Sequence, residues 1–218
     1  MKNKRCVVLL SGGLDSTTTL YLAKARGYEP FCLIFDYGQR HKKEIVQAKK
    51  ICRRAGCAYA QVRIALPWKG SSLLDRAMKI PQRTASGGAA AASTIPSTYV
   101  PARNIIFLSF ALSAAEALKA GDIFIGANAV DYSGYPDCRP SFYRAFGRVI
   151  RTGTKSGVEG NAVRVRTPLI RMSKAQIIRK ARALGAPLEL TWSCYAGGKT
   201  PCGICDSCRI RAKGFREA

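Results

Sequence analysis

Val7-Val8-Leu9-Leu10-Ser11-Gly12-Gly13-Leu14-Asp15-Ser16-Thr17 is the stretch from which the rest of this chain is read. Four consecutive apolar residues, two of them β-branched, predict a buried strand. From Leu14 to Arg26 the residues favour helix, with Leu14, Thr18, Leu20, Tyr21 and Leu22 among its less polar positions. Between the two lies a loop suited to phosphate. Gly12 and Gly13 let the backbone turn sharply and approach a ligand without Cβ atoms, and the following helix presents unpaired N–H groups with partial positive charge. Ser11, Ser16 and Thr17 add hydroxyls. A Walker loop needs G-x-x-x-x-G-K-S/T and a dinucleotide fingerprint needs G-x-G-x-x-G; this stretch is neither. The bland alternative is an ordinary strand-to-helix turn with Asp15 or Ser16 near the cap.

Strand and helix then alternate. Pro30 to Asp36 reads as a second buried strand, about Lys42 to Ala55 as a helix carrying Ile45, Val46, Ala48, Ile51 and Cys52, and Tyr59 to Ile64 as a third strand. Such alternation predicts right-handed βαβ units and a parallel, Rossmann-like sheet, with ligands beyond the carboxyl ends of the strands. Both the Ser11 loop and Asp36-Tyr37-Gly38-Gln39-Arg40-His41 fall there, so the two should face each other. His41 is the only histidine, and before a helix it also suits a plain exposed or capping role. Cys6, Cys32, Cys52 and Cys57 fit a core role.

Periodicity is lost from Pro67 to Val100, and the Ala-rich stretch within residues 84–98 is low in complexity; it reads as a closing loop or a disordered one. A strongly apolar helix follows from about Ile105 to Ala120, then a strand from Asp122 to Ala127. Next comes Asp131-Tyr132-Ser133-Gly134-Tyr135-Pro136-Asp137-Cys138-Arg139-Pro140. Two carboxylates, two aromatic rings and an arginine here suit a planar heterocycle that is stacked, hydrogen-bonded along an amidine edge and paired through a carboxylate. A tight surface turn with capping aspartates is the alternative. Gly153 to Gly160 reads as a mobile lid or a linker. In Thr167 to Gln176 a strand gives way to a helix with a Ser173/Gln176 capping box, which leaves Lys174 in the first turn, where a cation opposes the dipole. Phosphate binding is one reason for it to be there, surface exposure the other.

Cys194, Cys202, Cys205 and Cys208 are spaced C-x7-C-x2-C-x2-C. Without a secretory leader this pattern predicts metal rather than disulfides, as a closed structural zinc site or alternatively an iron–sulfur cluster. A length of 218 residues supports one full domain with a small appendage, taken as 1–190 and a metal-binding segment 191–218. Lys and Arg number 36 against 13 Asp and Glu, a net charge of +23, with 17 basic and four acidic residues from 139 onward. Such a charge keeps tRNA or another nucleic acid open as a partner beside a merely solvated basic surface. No apolar run reaches membrane-spanning length, so a cytoplasmic location and no membrane contact are expected.

Ser-Gly-Gly-Leu-Asp-Ser resembles the PP-loop of the N-type ATP pyrophosphatases, which cleave ATP between its α- and β-phosphates. Together with Asp-Tyr-Gly-Gln-Arg-His, Tyr99-Val100-Pro101-Ala102-Arg103-Asn104, the Asp131–Pro140 segment and Cys-Gly-x-Cys-Asp-Ser-Cys, it makes nearly the whole chain similar to the 7-cyano-7-deazaguanine synthases of queuosine biosynthesis. The Ala-rich insert and the basic charge depart from that family's pattern. The resemblance implies an adenine nucleotide alpha-hydrolase-like fold, ATP, Mg2+, one structural zinc ion on the four cysteines, and a homodimer. It implies nucleotide contacts from Leu9, Leu10, Ser11, Gly12, Gly13, Leu14, Asp15, Ser16 and Thr17, and from Asp36, Gly38, Gln39, Arg103 and Asn104. Ser11, Gly12, Gly13, Ser16 and Lys174 are expected to serve the charged phosphates, Asp15 to position the loop or a metal ion, and His41 to assist proton transfer from ammonium. Asp131 is expected on the guanine-like edge, Tyr132 or Tyr135 in stacking, and Arg139 or Arg103 on the substrate carboxylate. Two other readings stay open: a PP-loop enzyme that modifies a tRNA base, and a non-catalytic, zinc-stapled nucleic-acid-binding module.

Overall fold

The computed structural model describes residues 4–40, 42–81, 95–130 and 134–218. In chain order its elements are β1 (Lys4–Leu9), α1 (Leu14–Ala25), β2 (Tyr28–Asp36), α2 (Lys43–Ala55), β3 (Ala58–Arg63), α3 (Arg103–Ala117) and β4 (Asp122–Ile125). They continue with α4 (Pro140–Gly153), α5 (Lys155–Val158), β5 (Arg164–Arg166), α6 (Lys174–Ala183) and α7 (Asp206–Arg216). All five strands are parallel, in the order β3-β2-β1-β4-β5.

The apolar runs of the central strands are continuous because both faces of the sheet are covered. Val7, Leu9, Leu33, Phe35, Ile123 and Ile125 point to the side of α3 and α4, where they meet Leu108, Ala111, Ala115, Phe146 and Ile150. Cys6, Val8, Leu10, Cys32, Ile34 and Phe124 point the other way, toward Leu20 of α1 and Ile45, Ala48, Ile51 and Cys52 of α2. Each fully buried Leu, Ile or Val side chain stabilises by about 1.5–3 kcal/mol relative to leaving it in water. A third cluster of Leu14, Leu169, Ile177 and Ile178 seats α6 against the start of α1.

After β1 the chain builds outward through β2 to β3, then crosses by α3 to place β4 on the other side of β1. The crevice beyond the carboxyl ends of β1 and β4 is therefore the topological switch point, where doubly wound sheets bind ligands.

The structure adds one helix and revises two expectations. The helix α4 was not anticipated, although Tyr143, Phe146 and Ile150 are spaced at i, i+3 and i+7 behind a proline at its first turn. Gly153 to Gly160 is not an open lid: it ends α4 and forms α5, and a Cβ on Gly157 would lie 2.3 Å from the Ile150 carbonyl oxygen. α3 begins at Arg103 and ends at Ala117, two to three residues earlier than its apolar run, because Ala102 takes a left-handed φ of 53° and starts the helix there.

Candidate active site

Six residues after β1 form the wall of the switch-point crevice. Ser11 Oγ and Ser16 Oγ lie 3.0 Å apart, Ser16 Oγ accepts from the Ser11 N–H at 3.2 Å, and the Gly13 N–H donates to Ser11 Oγ at 3.2 Å. The two hydroxyls thus close the loop on itself and keep it ready for an anion at the head of α1. The Trp192 N–H donates to the Gly12 carbonyl at 2.9 Å, tying the C-terminal segment to the loop.

Gly12 has φ 83°, and a Cβ there would lie 2.3 Å from the Glu44 carbonyl oxygen and 2.8 Å from the Ala48 nitrogen. Its glycine is demanded both by conformation and by the close approach of α2. Gly12→Ala is expected to destabilise the protein by roughly 2–5 kcal/mol, from left-handed strain plus overpacking. Chemical denaturation checks this; wild-type stability would mean that the loop does not depend on its packing against α2. Gly126, just beyond β4, is held equally tightly, because its Cβ would lie 2.8 Å from the Ser16 nitrogen.

A cavity of about 260 Å3 opens from this loop. Of the residues expected at the nucleotide, Leu9, Leu10, Ser11, Gly13, Leu14, Asp15 and Ser16 line it, as do Gln39, Arg103 and Asn104 from two other elements. Gly12, Thr17, Asp36 and Gly38 do not line it. Thr17 is fully buried and its hydroxyl donates back to the Gly13 carbonyl at 2.8 Å, inside the first turn of α1. Asp36 pairs with Lys42 at 3.2 Å, and Gly38 makes a left-handed turn at φ 80°. The Ser11 loop and the loop after β2 do face each other across this space.

Lys174 opens α6 behind the Ser173/Gln176 capping box, and only 7 % of its surface is exposed. Its Nζ lies 2.8 Å from both carboxylate oxygens of Asp15. A cation at a helix N-terminus is therefore matched by a carboxylate at the head of another helix. Both groups line the cavity.

On the opposite wall, Arg103 donates to the Tyr37 hydroxyl at 3.2 Å. The Asn104 N–H donates to Asp137 Oδ2 at 3.2 Å, and the Asn104 side-chain amide to the Asp137 carbonyl at 3.3 Å. Asp137 thus fixes the start of α3, while burial pushes its carboxyl up against the opposing Asn104 N–H and Arg103 charge. Tyr135 lines the cavity and is hydrogen-bonded to Thr98, with the Tyr99 ring 6.2 Å away. Arg139 stands exposed at the N-cap of α4 and does not line the cavity. His41, Asp131 and Tyr132 lie outside the described residues, as do residues 84–94 of the Ala-rich stretch.

The four cysteines converge. Their sulfurs all lie within 4.8 Å of one another, Cys202 Sγ is 4.0 Å from Cys208 Sγ, and backbone N–H groups of Cys202 and Cys205 point at Cys194 Sγ and Cys202 Sγ at 3.3 and 3.4 Å. A single tetrahedral ion with metal–sulfur bonds of about 2.3 Å sets its sulfurs about 3.8 Å apart, so the arrangement fits one ion. N–H groups aimed at sulfur favour the thiolate form that a metal needs. Burial opposes this at Cys202, but the N–H groups of Cys205 and Ile204 bring its thiol down to about 7. The segment does more than close a tail. Trp192, Tyr195, Ser207, Ile210 and Arg211 all line the cavity, and a Cβ on Gly214 would lie 2.5 Å from Lys174 Cγ.

Sequence reading missed this contribution, and it missed Glu44, which lines the cavity from the first turn of α2. The signal for Glu44 was its position at the first turn of the helix that follows the loop after β2.

A parallel sheet with an anion-ready glycine–hydroxyl loop at its switch point, and an inward lysine–aspartate pair beside it, defines the PP-loop class of nucleotide-using α/β folds. Comparison with known proteins agrees. A U34-tRNA thiolase NcsA from Methanococcus maripaludis, solved with its 4Fe-4S cluster, superposes with a TM-score of 0.52 at 17% identity, covering 99% of this chain and 65% of that one. NMN synthetase from Francisella tularensis gives 0.52 at 14% identity, covering 99% and 78%. These two likenesses speak to the fold alone. The family model described as "Queuosine biosynthesis protein QueC" matches residues 5–218. The 7-cyano-7-deazaguanine synthase of Acetivibrio thermocellus is 53% identical over 215 residues, 99% of this chain and 94% of that protein. The Nostoc punctiforme protein of the same name is 51% identical over 215 residues, 98% and 95%. The chain belongs to the QueC family of queuosine biosynthesis proteins.

Proposed function

We propose that the chain converts 7-carboxy-7-deazaguanine and ammonia to 7-cyano-7-deazaguanine, using two ATP, each of which ends as AMP and diphosphate. The observation that carries this reading is the QueC family match over residues 5–218, on a chain whose switch-point cavity gathers the phosphate loop, Lys174 and Arg103. A carboxylate is a poor electrophile because oxide must leave. Attack of its oxygen on the α-phosphorus expels diphosphate and makes AMP the leaving group; ammonia then gives the amide. A second adenylation on the amide oxygen, followed by loss of AMP and a proton, leaves the nitrile.

Both activations gather negative charge on the β- and γ-phosphates. The N–H groups and hydroxyls of Ser11, Gly13 and Ser16, with the Lys174 ammonium, are fixed dipoles and charge for it. Mg2+ enters with ATP and supplies further charge there. Arg103 suits the substrate carboxylate from inside the cavity, which Arg139 does not line. Asp131 is assigned the guanine-like edge and Tyr132 or Tyr135 stacking. Zinc fits the four sulfurs as a closed structural ion. A homodimer and a cytoplasmic location belong to the same reading; among the described residues no helix is long and apolar enough to cross a membrane.

The test follows substrate, amide, nitrile and AMP by mass spectrometry, using zinc-loaded protein with ATP, Mg2+, ammonium and 7-carboxy-7-deazaguanine. Nitrile formed together with AMP supports the reading. Folded, metal-replete protein without turnover removes it.

One observation supports a nucleic-acid partner as well. Arg144, Arg148 and Arg151 of α4 and Arg164 of β5 line a cleft of about 500 Å3 that has no acidic residue in its lining and shares none with the cavity. RNA held there should bind with a steep salt dependence. The double variant R144Q/R148Q should lower the log–log salt slope by about 2 while nitrile synthesis is unchanged. Filter binding across a salt series checks this, and an unchanged slope removes the partner.

A further inference from the structure

Glu44 has no role in the reaction as written above. It stands in the first turn of α2, and its main-chain oxygen abuts Gly12, so the carboxylate and the phosphate loop are held beside one another. Among the described residues lining the cavity, the carboxylates are Asp15 and Glu44, and Asp15 is engaged through both oxygens by Lys174. The groups whose charge Glu44 meets are Arg103 at the start of α3 and Tyr37 beyond β2. Arg40 from the β2–α2 loop and Arg211 from α7 line the same cavity, while the neighbouring Lys43 is turned away over the Trp192 ring at 3.8 Å. Burial raises the Glu44 carboxyl to about 7, with Arg103 pulling the other way.

We propose that Glu44 is the base that takes a proton from ammonium when the adenylated carboxylate is converted to the amide. This rests on the synthase reading above. Ammonium has no lone pair and cannot attack. Transfer of one proton to the Glu44 carboxylate frees the nitrogen pair, which forms the C–N bond. The bond from carbon to the AMP oxygen then breaks, its electron pair leaving on phosphate, and a second nitrogen proton goes to water. An ordinary carboxylate holds protons too weakly to deprotonate much ammonium at neutral pH. Glu44 is partly buried where it lines this cavity, and its raised carboxyl is better matched to the task. The loop next to it is where the adenylate forms, so base and electrophile share one space.

The test uses the full-length, zinc-loaded chain and the variant Glu44→Gln. Exchange of labelled diphosphate into ATP, dependent on 7-carboxy-7-deazaguanine, reports the first adenylation alone and should stay within about threefold of wild type. Amide formation from ammonium at pH 7 should fall about 10²–10⁴-fold, the usual span for loss of a general base. Hydroxylamine, which is uncharged at neutral pH, should restore acyl transfer to near the wild-type rate as the hydroxamate. In wild type, amide formation should rise through about pH 7 as Glu44 ionises; in E44Q it should instead track free ammonia, about tenfold per pH unit.

A carboxyl raised to about 7 in the folded state costs the protein stability as pH climbs from its ordinary unfolded value to about 7, and the penalty is complete above that. E44Q should therefore melt higher than wild type at pH 8 and not at pH 4, which also reports that it folds. Equal loss of the ammonium and hydroxylamine reactions, or an unchanged ammonium reaction, overturns the proposal. So does the hydroxylamine-rescued pattern appearing in His41→Gln and not in E44Q. Wild type without diphosphate exchange would instead overturn the synthase reading beneath it.

Discussion

Lys174→Ala is expected to lower diphosphate release by about 10²–10³-fold, the cost of removing one preorganised group from developing charge. The same change leaves Asp15, 16 % exposed, without its cation 2.8 Å away. Stripping one member from a largely buried pair costs about 3–5 kcal/mol, and the lower end applies because Asp15 keeps some contact with water. The variant should therefore be both slow and fragile, and the two effects separate in the double variant D15N/K174M. Removing both charges together should recover much of the stability in a urea melt while leaving diphosphate release as low as in K174A. A K174A protein with turnover within twofold of wild type would show that Lys174 serves only to neutralise Asp15. The pair also implies competition: in the ligand-free protein the ammonium is spent on Asp15, and an arriving triphosphate has to share it.

Cys205→Ala, or removal of metal by a strong chelator, is expected to abolish synthesis and to lower the melting temperature sharply. A structural site of this kind contributes about 10–16 kcal/mol in small zinc-dependent peptides, comparable with the whole stability of a domain. The effect on activity follows from position. The proposed ion would tie Cys194, Cys202 and Cys205 to Cys208 of α7, and α7 brings Ser207, Ile210 and Arg211 to the cavity and Gly214 against the Lys174 side chain. Metal analysis, thermal melts and ATP binding before and after chelation measure this. Metal-free protein that keeps its melting temperature and its ATP affinity would confine the cluster to the tail.

The sheet was legible from its apolar runs because strands covered on both faces need no alternation, and the helices between them were long enough to force parallel connections. The phosphate loop was legible from glycines and hydroxyls in one short segment. Helix α4 was just as legible from Tyr143, Phe146 and Ile150, but the preceding Gly and Pro drew the reading toward a turn. Glu44 was hidden among the lysines of an amphipathic helix, where a charged residue ordinarily means solvent. Its meaning came only from the cavity wall on which it stands.

By itself, the sequence determined what is local and periodic: where strands and helices run, where the loop turns, and that four cysteines within fifteen residues converge on one point. Those features depend on side-chain spacing along a few turns of backbone, which any reader of the chain can count. Only the tertiary structure decided that Lys174 meets Asp15 across 159 residues, that α7 presses on that lysine, and that Glu44 shares a cavity, partly buried, with the Arg103 charge. Ion pairing, desolvation and close packing depend on distances between residues remote in sequence, and folding alone sets those distances.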